Sequence, residues 1–214
     1  MSGLFITIEG PDGAGKTSLI KGLAPLLEAS LKTELLLTRE PGGIPISEKI
    51  REIILDPAHT TMDDRTEALL YAAARRQHLV EKVMPALAAG KIVLCDRFVD
   101  SSLAYQGAGR GIGMSEVASI NEFACAGLEP DLTLYIDVDS EVGLARIQKG
   151  RAAEDLDRLD TESLSFHQKV RDGYLRLVKD NPERIVSIDG EQSIEAVQTA
   201  CFDVIQKRFP KVFN

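Results

Sequence analysis

The sequence predicts a doubly wound α/β protein built on a five-stranded parallel sheet, and three observations predict it. Short runs rich in β-branched and aliphatic residues alternate with longer stretches of helical period. The first run leads into a glycine-rich phosphate-loop motif and then a helix. The chain has 214 residues, enough for one such domain (1–214) and short for two. The runs fall at 4–9, 33–38, 92–96, 132–137 and 185–188. Their near-continuous apolar character suits strands covered on both faces.

Between the first two runs, Leu19, Leu23, Leu26 and Leu27 recur near a period of 3.6, and Ile120, Phe123, Phe166, Val170, Leu177, Val197 and Ile205 mark later helical faces. Pro25 and Pro85 are expected to kink or shorten their helices. Alternating strand and helix implies right-handed crossovers, so ligands are expected outside the carboxyl ends of the strands.

Composition excludes several classes. A chain of this size exposes roughly 34,000 Å² unfolded and about 9,700 Å² folded, so about 70% is buried without a disulfide staple. The 44% apolar content supports such a core. With 25 Lys+Arg against 33 Asp+Glu the net charge is −8, which argues against sequence-independent affinity for nucleic acid or anionic lipid. Cys95, Cys125 and Cys201 lie far apart and form no CxxC pair, so neither a disulfide framework nor a zinc site is suggested. The first residues lack a basic, then apolar, leader pattern, and no apolar run approaches the ~18 residues of a membrane span. The expectation is a soluble cytoplasmic protein with no nucleic-acid or membrane partner.

The run Gly10, Pro11, Asp12, Gly13, Ala14, Gly15, Lys16, Thr17 matches GxxxxGK[ST] between a strand and a helix. Glycines let the backbone curl around an anion and the helix N-terminus adds partial positive charge; Lys16 reaches the β/γ-phosphates and Thr17 can ligate Mg²⁺. With Ser18 these residues are the expected triphosphate site, against the plainer reading of a glycine-rich turn. A guanine-reading NKxD and a DxxG switch separate from the phosphate loop, which a signalling GTPase needs, are not found.

The other strand ends narrow the class. The second ends in Thr38-Arg39-Glu40-Pro41-Gly42-Gly43 and the third in Asp96-Arg97-Phe98. Both place an arginine beside the phosphate loop, where guanidinium groups suit a second phosphate. Tyr71 and Arg75 stand i,i+4 on a helical segment and so project from one face. They form either a plate and cation that stack and read a base, or a half-buried tyrosine shielded by an arginine stem.

Together these segments resemble the thymidylate kinase family in its bacterial form. The phosphate loop preceded by IEG, TREPGG, YAAARRQ, DRFVDSSLAYQG and a charged segment before SFHQKVRDGY follow the family order over nearly the whole chain. The resemblance implies a P-loop nucleoside monophosphate kinase fold with a short lid, a homodimer, and Mg²⁺- and ATP-dependent conversion of dTMP to dTDP. It implies that Arg39 and Arg97, assisted by Arg51, hold the dTMP phosphate. Tyr71 stands where the family has an aromatic on thymine, commonly phenylalanine. Arg75 and Gln106, with Ser102 near, match thymine-reading positions. Tyr105 matches a residue that crowds a ribose 2′-hydroxyl, Asp12 the carboxylate near the 3′-hydroxyl, and Asp96 an acidic position near magnesium. Arg146, after the fourth strand, is a candidate for adenine.

Some family members carry an arginine inside the phosphate loop; here Pro11-Asp12-Gly13-Ala14 has none. Residues 149–160, KGRAAEDLDRLD, hold seven charges in twelve positions and read as a solvated loop or a lid. Arg151 and Arg158 are the candidates for the missing catalytic cation, with Arg151 favoured because acidic neighbours can tie Arg158. The expected catalytic set is therefore Lys16, Arg39, Arg97 and Arg151, and the expected metal ligands are Thr17 and Asp96. Two rivals stay open: a kinase for another nucleotide or a deoxynucleoside, with Glu9 or Asp96 as base, and a regulatory protein that uses ATP as a switch.

Overall fold

A computed structural model describes residues 3–150, 158–159 and 162–214. Most of the expected lid at 149–160, including Arg151, lies outside the described residues. The strands β1 (Leu4–Glu9), β2 (Leu35–Arg39), β3 (Ile92–Asp96), β4 (Leu132–Asp137) and β5 (Ile185–Asp189) form one parallel sheet in the order β2-β3-β1-β4-β5. β1, β3 and β4 have the expected bounds. β2 starts two residues later than expected, because the Thr33 hydroxyl donates to Gly90 O and the chain enters the sheet only after it. As the edge strand, β2 is only partly covered.

The chain leaves β1 toward β2 on one side and β3 toward β4 on the other, so the topological switch falls between β1 and β3. Register then sets the ends of the strands: Asp96 lies opposite both Ile8 of β1 and Arg39 of β2. The loops after β1, β2 and β3 thus open onto one crevice.

Two layers of helices cover the sheet. On one face α1 (Lys16–Ser30) buries Leu19, Leu23 and Leu27, and α9 (Ile194–Arg208) buries Val197, Cys201 and Ile205, all against Ile6, Ile8 and Leu134. Phe5 of β1 points to the other face, as strand alternation requires, where it packs with Val93, Cys95 and Phe98. There α8 (Leu164–Asp180) sets Phe166, Val170, Tyr174 and Leu177 against Tyr105 and Tyr135. The remaining helices are α2 (Pro45–Leu55), α3 (Asp64–His78), α4 (Met84–Ala88), α5 (Val99–Ser102), α6 (Met114–Cys125) and α7 (Ser140–Gly150).

The helices depart in places from the plain apolar stripes. Pro25 lies inside α1 without ending it, and Pro85 stands, as expected of a proline, at an irregularity: it begins the five-residue α4 behind a π-helical turn, Leu79–Val83. That wider turn joins α3 to α4 where proline lacks an N–H, so no break occurs. Phe123 is 90% exposed and Ile120 only half-buried, because the face of α6 turned inward is Val117, Asn121, Ala124 and Cys125. The polar Asn121 disguised it. Leu26 likewise leaves the buried stripe of α1 at 47% exposure.

Leu23, with no exposure, and Leu26, on the same helix, therefore separate sharply. Leu23→Ala should cost about 2–5 kcal/mol through lost burial and a cavity, and Leu26→Ala less than about 1 kcal/mol. Urea denaturation of both variants checks this; equal losses would contradict the burial pattern.

Candidate active site

The phosphate loop is shaped by contact with α7. Gly13 has φ +75°, and a Cβ there would lie 2.1 Å from Gly143 O, so no other side chain fits. Gly15 at φ +82° turns the chain into α1, whose first residue, Lys16, is 8% exposed. Its ammonium donates to Gly10 O at 3.0 Å and Pro11 O at 2.9 Å. Burial, and then the nearby Arg97, push the Lys16 pKa down to about 8, against the attraction of Asp12, Asp96 and Glu9. Gly13, Gly15, Lys16, Thr17 and Ser18 line a cavity of about 550 Å³. Gly10 and Pro11 serve through their carbonyls instead, and Ala14 is packed in the core.

The turn after β3 brings the next cation. Arg97 has φ +67°, an uncommon conformation for a non-glycine residue, and two hydrogen bonds to β1 hold it: Arg97 N to Ile8 O at 2.9 Å and Phe98 N to Glu9 Oε1 at 2.6 Å. Its guanidinium donates to Asp12 Oδ1 at 2.6 Å, Gly10 O at 2.9 Å and Ser101 Oγ at 3.1 Å, and lies 5.0 Å from the Tyr105 ring centroid. The Tyr105 hydroxyl donates to Asp12 Oδ2 at 2.7 Å. Burial alone would raise the Asp12 pKa, but Arg97 and Lys16 together hold it below its ordinary value. Behind them, Glu9 Oε2 accepts from Ser101 and from the Tyr174 hydroxyl at 2.9 Å. Burial, and then Asp100, raise the Glu9 pKa to about 7.

Arg39 closes the open side. It is half-exposed and pairs with Glu48 at 2.8 Å; Glu48 also accepts from Gly43 N at 2.7 Å. Arg51 donates to Pro41 O at 3.1 Å.

The far end of the cavity is a polar cell. Arg75 is 2% exposed and donates to Glu40 Oε2 at 2.7 Å, to Phe98 O and Ser102 Oγ at 3.1 Å each, and to Asn121 Oδ1. Glu40 also pairs with His78 Nδ1 at 2.8 Å, and Nε2 of that ring lies 2.7 Å from the Thr38 hydroxyl. Gln106 donates from Nε2 to Glu67 Oε1 at 2.7 Å. Tyr71, one turn before Arg75, lines the same cavity with Tyr105 and Ser102. Arg146 lines it too, and donates to Gly190 O at 3.0 Å.

Arg158 is held between α2 and α3. It donates to Ile54 O at 3.0 Å and to Glu67, a carboxylate far away in sequence rather than one of the acidic neighbours in its own segment. Sequence reading missed Glu40 and Ser101, which line the cavity, and Glu67, Asn121 and Tyr174, which stand behind its wall. Glu40, Ser101 and Tyr174 had a signal in their places inside TREPGG, DRFVDSSLAYQG and SFHQKVRDGY; Glu67 and Asn121 are single polar residues in helices and had none.

Asp96 Oδ1 is buried with no hydrogen-bond partner, and Asp96 and Thr17 share the cavity wall. Among the described residues no group of three or more His, Cys, Asp or Glu could hold a metal alone. One carboxylate and one hydroxyl suit magnesium, which keeps waters and substrate phosphates as its other ligands.

A parallel sheet of this order, with a phosphate loop after β1 and guanidinium groups after β2 and β3 on one cavity, defines a P-loop kinase. The thymidylate kinase family model matches residues 8–201, and the chain belongs to that family. It is 63% identical over 214 residues to the thymidylate kinase of Lacticaseibacillus casei and 61% identical over 213 residues to that of Enterococcus faecalis, with all of both chains covered in each case. The crystal structure of thymidylate kinase from Ehrlichia chaffeensis matches with a TM-score of 0.75 at 34% identity, covering 96% of this chain and 99% of that one.

The raised Glu9 carboxyl has a testable sign. Its pKa moves from an ordinary 4.5 to about 7, so the folded state binds more protons between those values and stability falls as pH rises through them. His167, lowered from 6.5 by burial, acts in the opposite sense and is common to both proteins. The stability of Glu9→Gln relative to the wild type should therefore rise between about pH 5 and pH 8 in urea titrations. A difference independent of pH would show that Glu9 titrates normally.

Proposed function

We infer that the protein is a dTMP kinase that transfers the γ-phosphoryl group of ATP in line to the phosphate of dTMP, giving dTDP and ADP. The observation that carries this is the pairing of the phosphate loop with Arg39 and Arg97 on one cavity. A second phosphate-binding subsite beside the triphosphate loop suits a monophosphate acceptor; a deoxynucleoside would give those guanidinium groups no phosphate to bind.

The acceptor is a phosphate monoester with a second pKa of about 6, so it is mostly dianionic at neutral pH and needs no general base. The barrier is the approach of two anions, and catalysis consists of positioning and charge stabilisation. Lys16, the N-terminus of α1, Arg97 and Arg39 supply that charge from this chain. The phosphates displace the carbonyls that hold Lys16 and compete with Asp12 and Glu48 for the two guanidinium groups. Thr17 and Asp96 would hold Mg²⁺, which when bound neutralises charge on the donor phosphates.

Tyr71 stacks on the base, while Arg75 and Gln106 meet its edge. Arg75 has five N–H groups and four hydrogen bonds in the structure, which leaves one N–H for a base carbonyl. Ser102 holds that guanidinium in place. Tyr105 and Asp12 face the sugar. Arg151 is the cation proposed for the transferring group, since the phosphate loop has no arginine and Arg158 is tied to Glu67. The chain forms a homodimer in this reading, which the exposed Phe123 and Leu69 on the adjacent helices α6 and α3 support. Among the described residues no helix is long and apolar enough to cross a membrane, and the cytoplasm, where ATP and dTMP are available, is its proposed place.

ADP release with Mg-ATP across a panel of nucleosides and nucleoside monophosphates tests the reading. ADP should appear with dTMP and not without an acceptor; acceptor-independent hydrolysis would point to a nucleotide switch, and release with deoxynucleosides to a different kinase.

Arg151→Ala should lower kcat by about a thousandfold or more with little change in either KM, because the contact forms in the charge-spread transition state. Arg158→Ala should be milder. A normal kcat for Arg151→Ala with a collapsed one for Arg158→Ala would transfer the role.

A further inference from the structure

Glu67 stands behind the base-facing end of the cavity. It lies on α3, has no solvent exposure, and is absent from the cavity wall that Gln106 helps to form. Its carboxylate collects donors from three side chains: Gln106 Nε2 on Oε1 at 2.7 Å, Arg110 on Oε2 at 3.1 Å, and Arg158 on Oε2. Burial alone would raise its pKa, but Arg110, then Gln106 and Arg158, hold it below the ordinary carboxylate value. At neutral pH it is therefore an anion that can only accept.

That fixes its neighbour. A glutamine amide has a donor end and an acceptor end of nearly equal shape, and two flipped orientations fill the same space. Against a group that only accepts, just one orientation makes a hydrogen bond. Gln106 turns its NH₂ to Glu67. Its Oε1 accepts from no described residue and is not among the fully buried polar atoms without a partner, so it is the end left to the cavity.

We propose that Glu67 is a specificity-positioning residue: by fixing the Gln106 amide it makes the pocket present an acceptor to ring position 3 of the pyrimidine, selecting bases with N3–H over cytosine. This rests on the reading above that Gln106 meets the base edge. Thymine and uracil carry a donor at N3 beside a carbonyl at C4, which complements Gln106 Oε1 and the spare N–H of Arg75. Cytosine carries an acceptor at N3 and a donor at C4 and mismatches both. A flipped amide would offer NH₂ to the cytosine N3, and among the described residues Glu67 is the hydrogen-bond partner of the amide that opposes that flip. The reaction itself is not touched, so Glu67 acts on binding of the acceptor.

The test is the ratio of kcat/KM for dTMP to that for dCMP in Glu67→Gln, with Gln106→Met as control. Glutamine at position 67 can donate as well as accept, so it no longer dictates the flip. The ratio should fall on the order of tenfold or more, through a higher KM for dTMP and a lower KM for dCMP rather than through kcat. A role limited to holding the fold would weaken both nucleotides alike and leave the ratio unmoved, which overturns the proposal. If Gln106→Met collapses the ratio while Glu67→Gln keeps it, Glu67 has no part in specificity although Gln106 reads the base. A wild-type ratio in Gln106→Met instead overturns the base-reading assignment and the proposal with it. Should removal of the buried charge prevent folding, Glu67→Gln/Arg110→Gln keeps the local charge balanced and carries the same measurement with the same outcomes.

Discussion

Two cations, Lys16 and Arg97, share one crevice with little solvent exposure of either, and much of the surrounding structure answers that constraint. Burial opposes charge on Lys16, and so does its neighbour. The site keeps them together by surrounding them with acceptors: the Gly10 carbonyl takes a hydrogen bond from each, Asp12 lies against Arg97, and Glu9 and Asp96 complete the field at Lys16. Such an arrangement is preorganised for polyphosphate, because its donors and charges need not be gathered at the moment of reaction. It also explains how a chain of net charge −8 can receive two anionic nucleotides: its cations converge on one crevice.

Sheet register and a strained turn hold those cations in place. Asp96 opposite Ile8 sets the height at which β3 ends, and Arg97 in the left-handed region swings its side chain toward the loop after β1. Glu9 secures that turn through Phe98 N, and α8 contributes the Tyr174 hydroxyl to the same carboxylate. A carboxyl pushed up to about 7 is a group that folding does not favour in its charged form, so this position is arranged for the geometry of Arg97 at some cost in stability.

Three buried glutamates follow one pattern. Glu9 stands behind the turn that carries Arg97, Glu40 behind Arg75, and Glu67 behind Gln106. Glu40 and Glu67 bond directly to a long side chain with several rotamers and select one of them, whereas Glu9 fixes the backbone of the turn. Breaking such a contact leaves a buried charge or donor unpaired, which is expensive in a dry site. Glu67 also holds Arg158, and Arg158 N bonds to Leu55 O, so the chain next to 151–157 is fastened to the base-facing end of the crevice.

The sequence by itself determined the parallel α/β layer, the phosphate loop and the positions of Lys16, Arg39, Arg97 and Arg75, because these depend on local periodicity, on glycines with obligatory backbone shapes and on residues next to strand ends. β1, β3 and β4 could be read to their final residues for the same reason. The tertiary structure alone decided which polar residues stand behind the site: Asn121 on α6 and Glu67 on α3 look like ordinary helical positions along the chain. It also decided that Phe123 faces outward and that Arg158 pairs with Glu67. The physical reason is that burial and pairing of a side chain depend on partners distant in sequence, Asn121 meeting Arg75 and Tyr174 meeting Glu9 only after the layers have packed, and nothing in a residue's near neighbours encodes them.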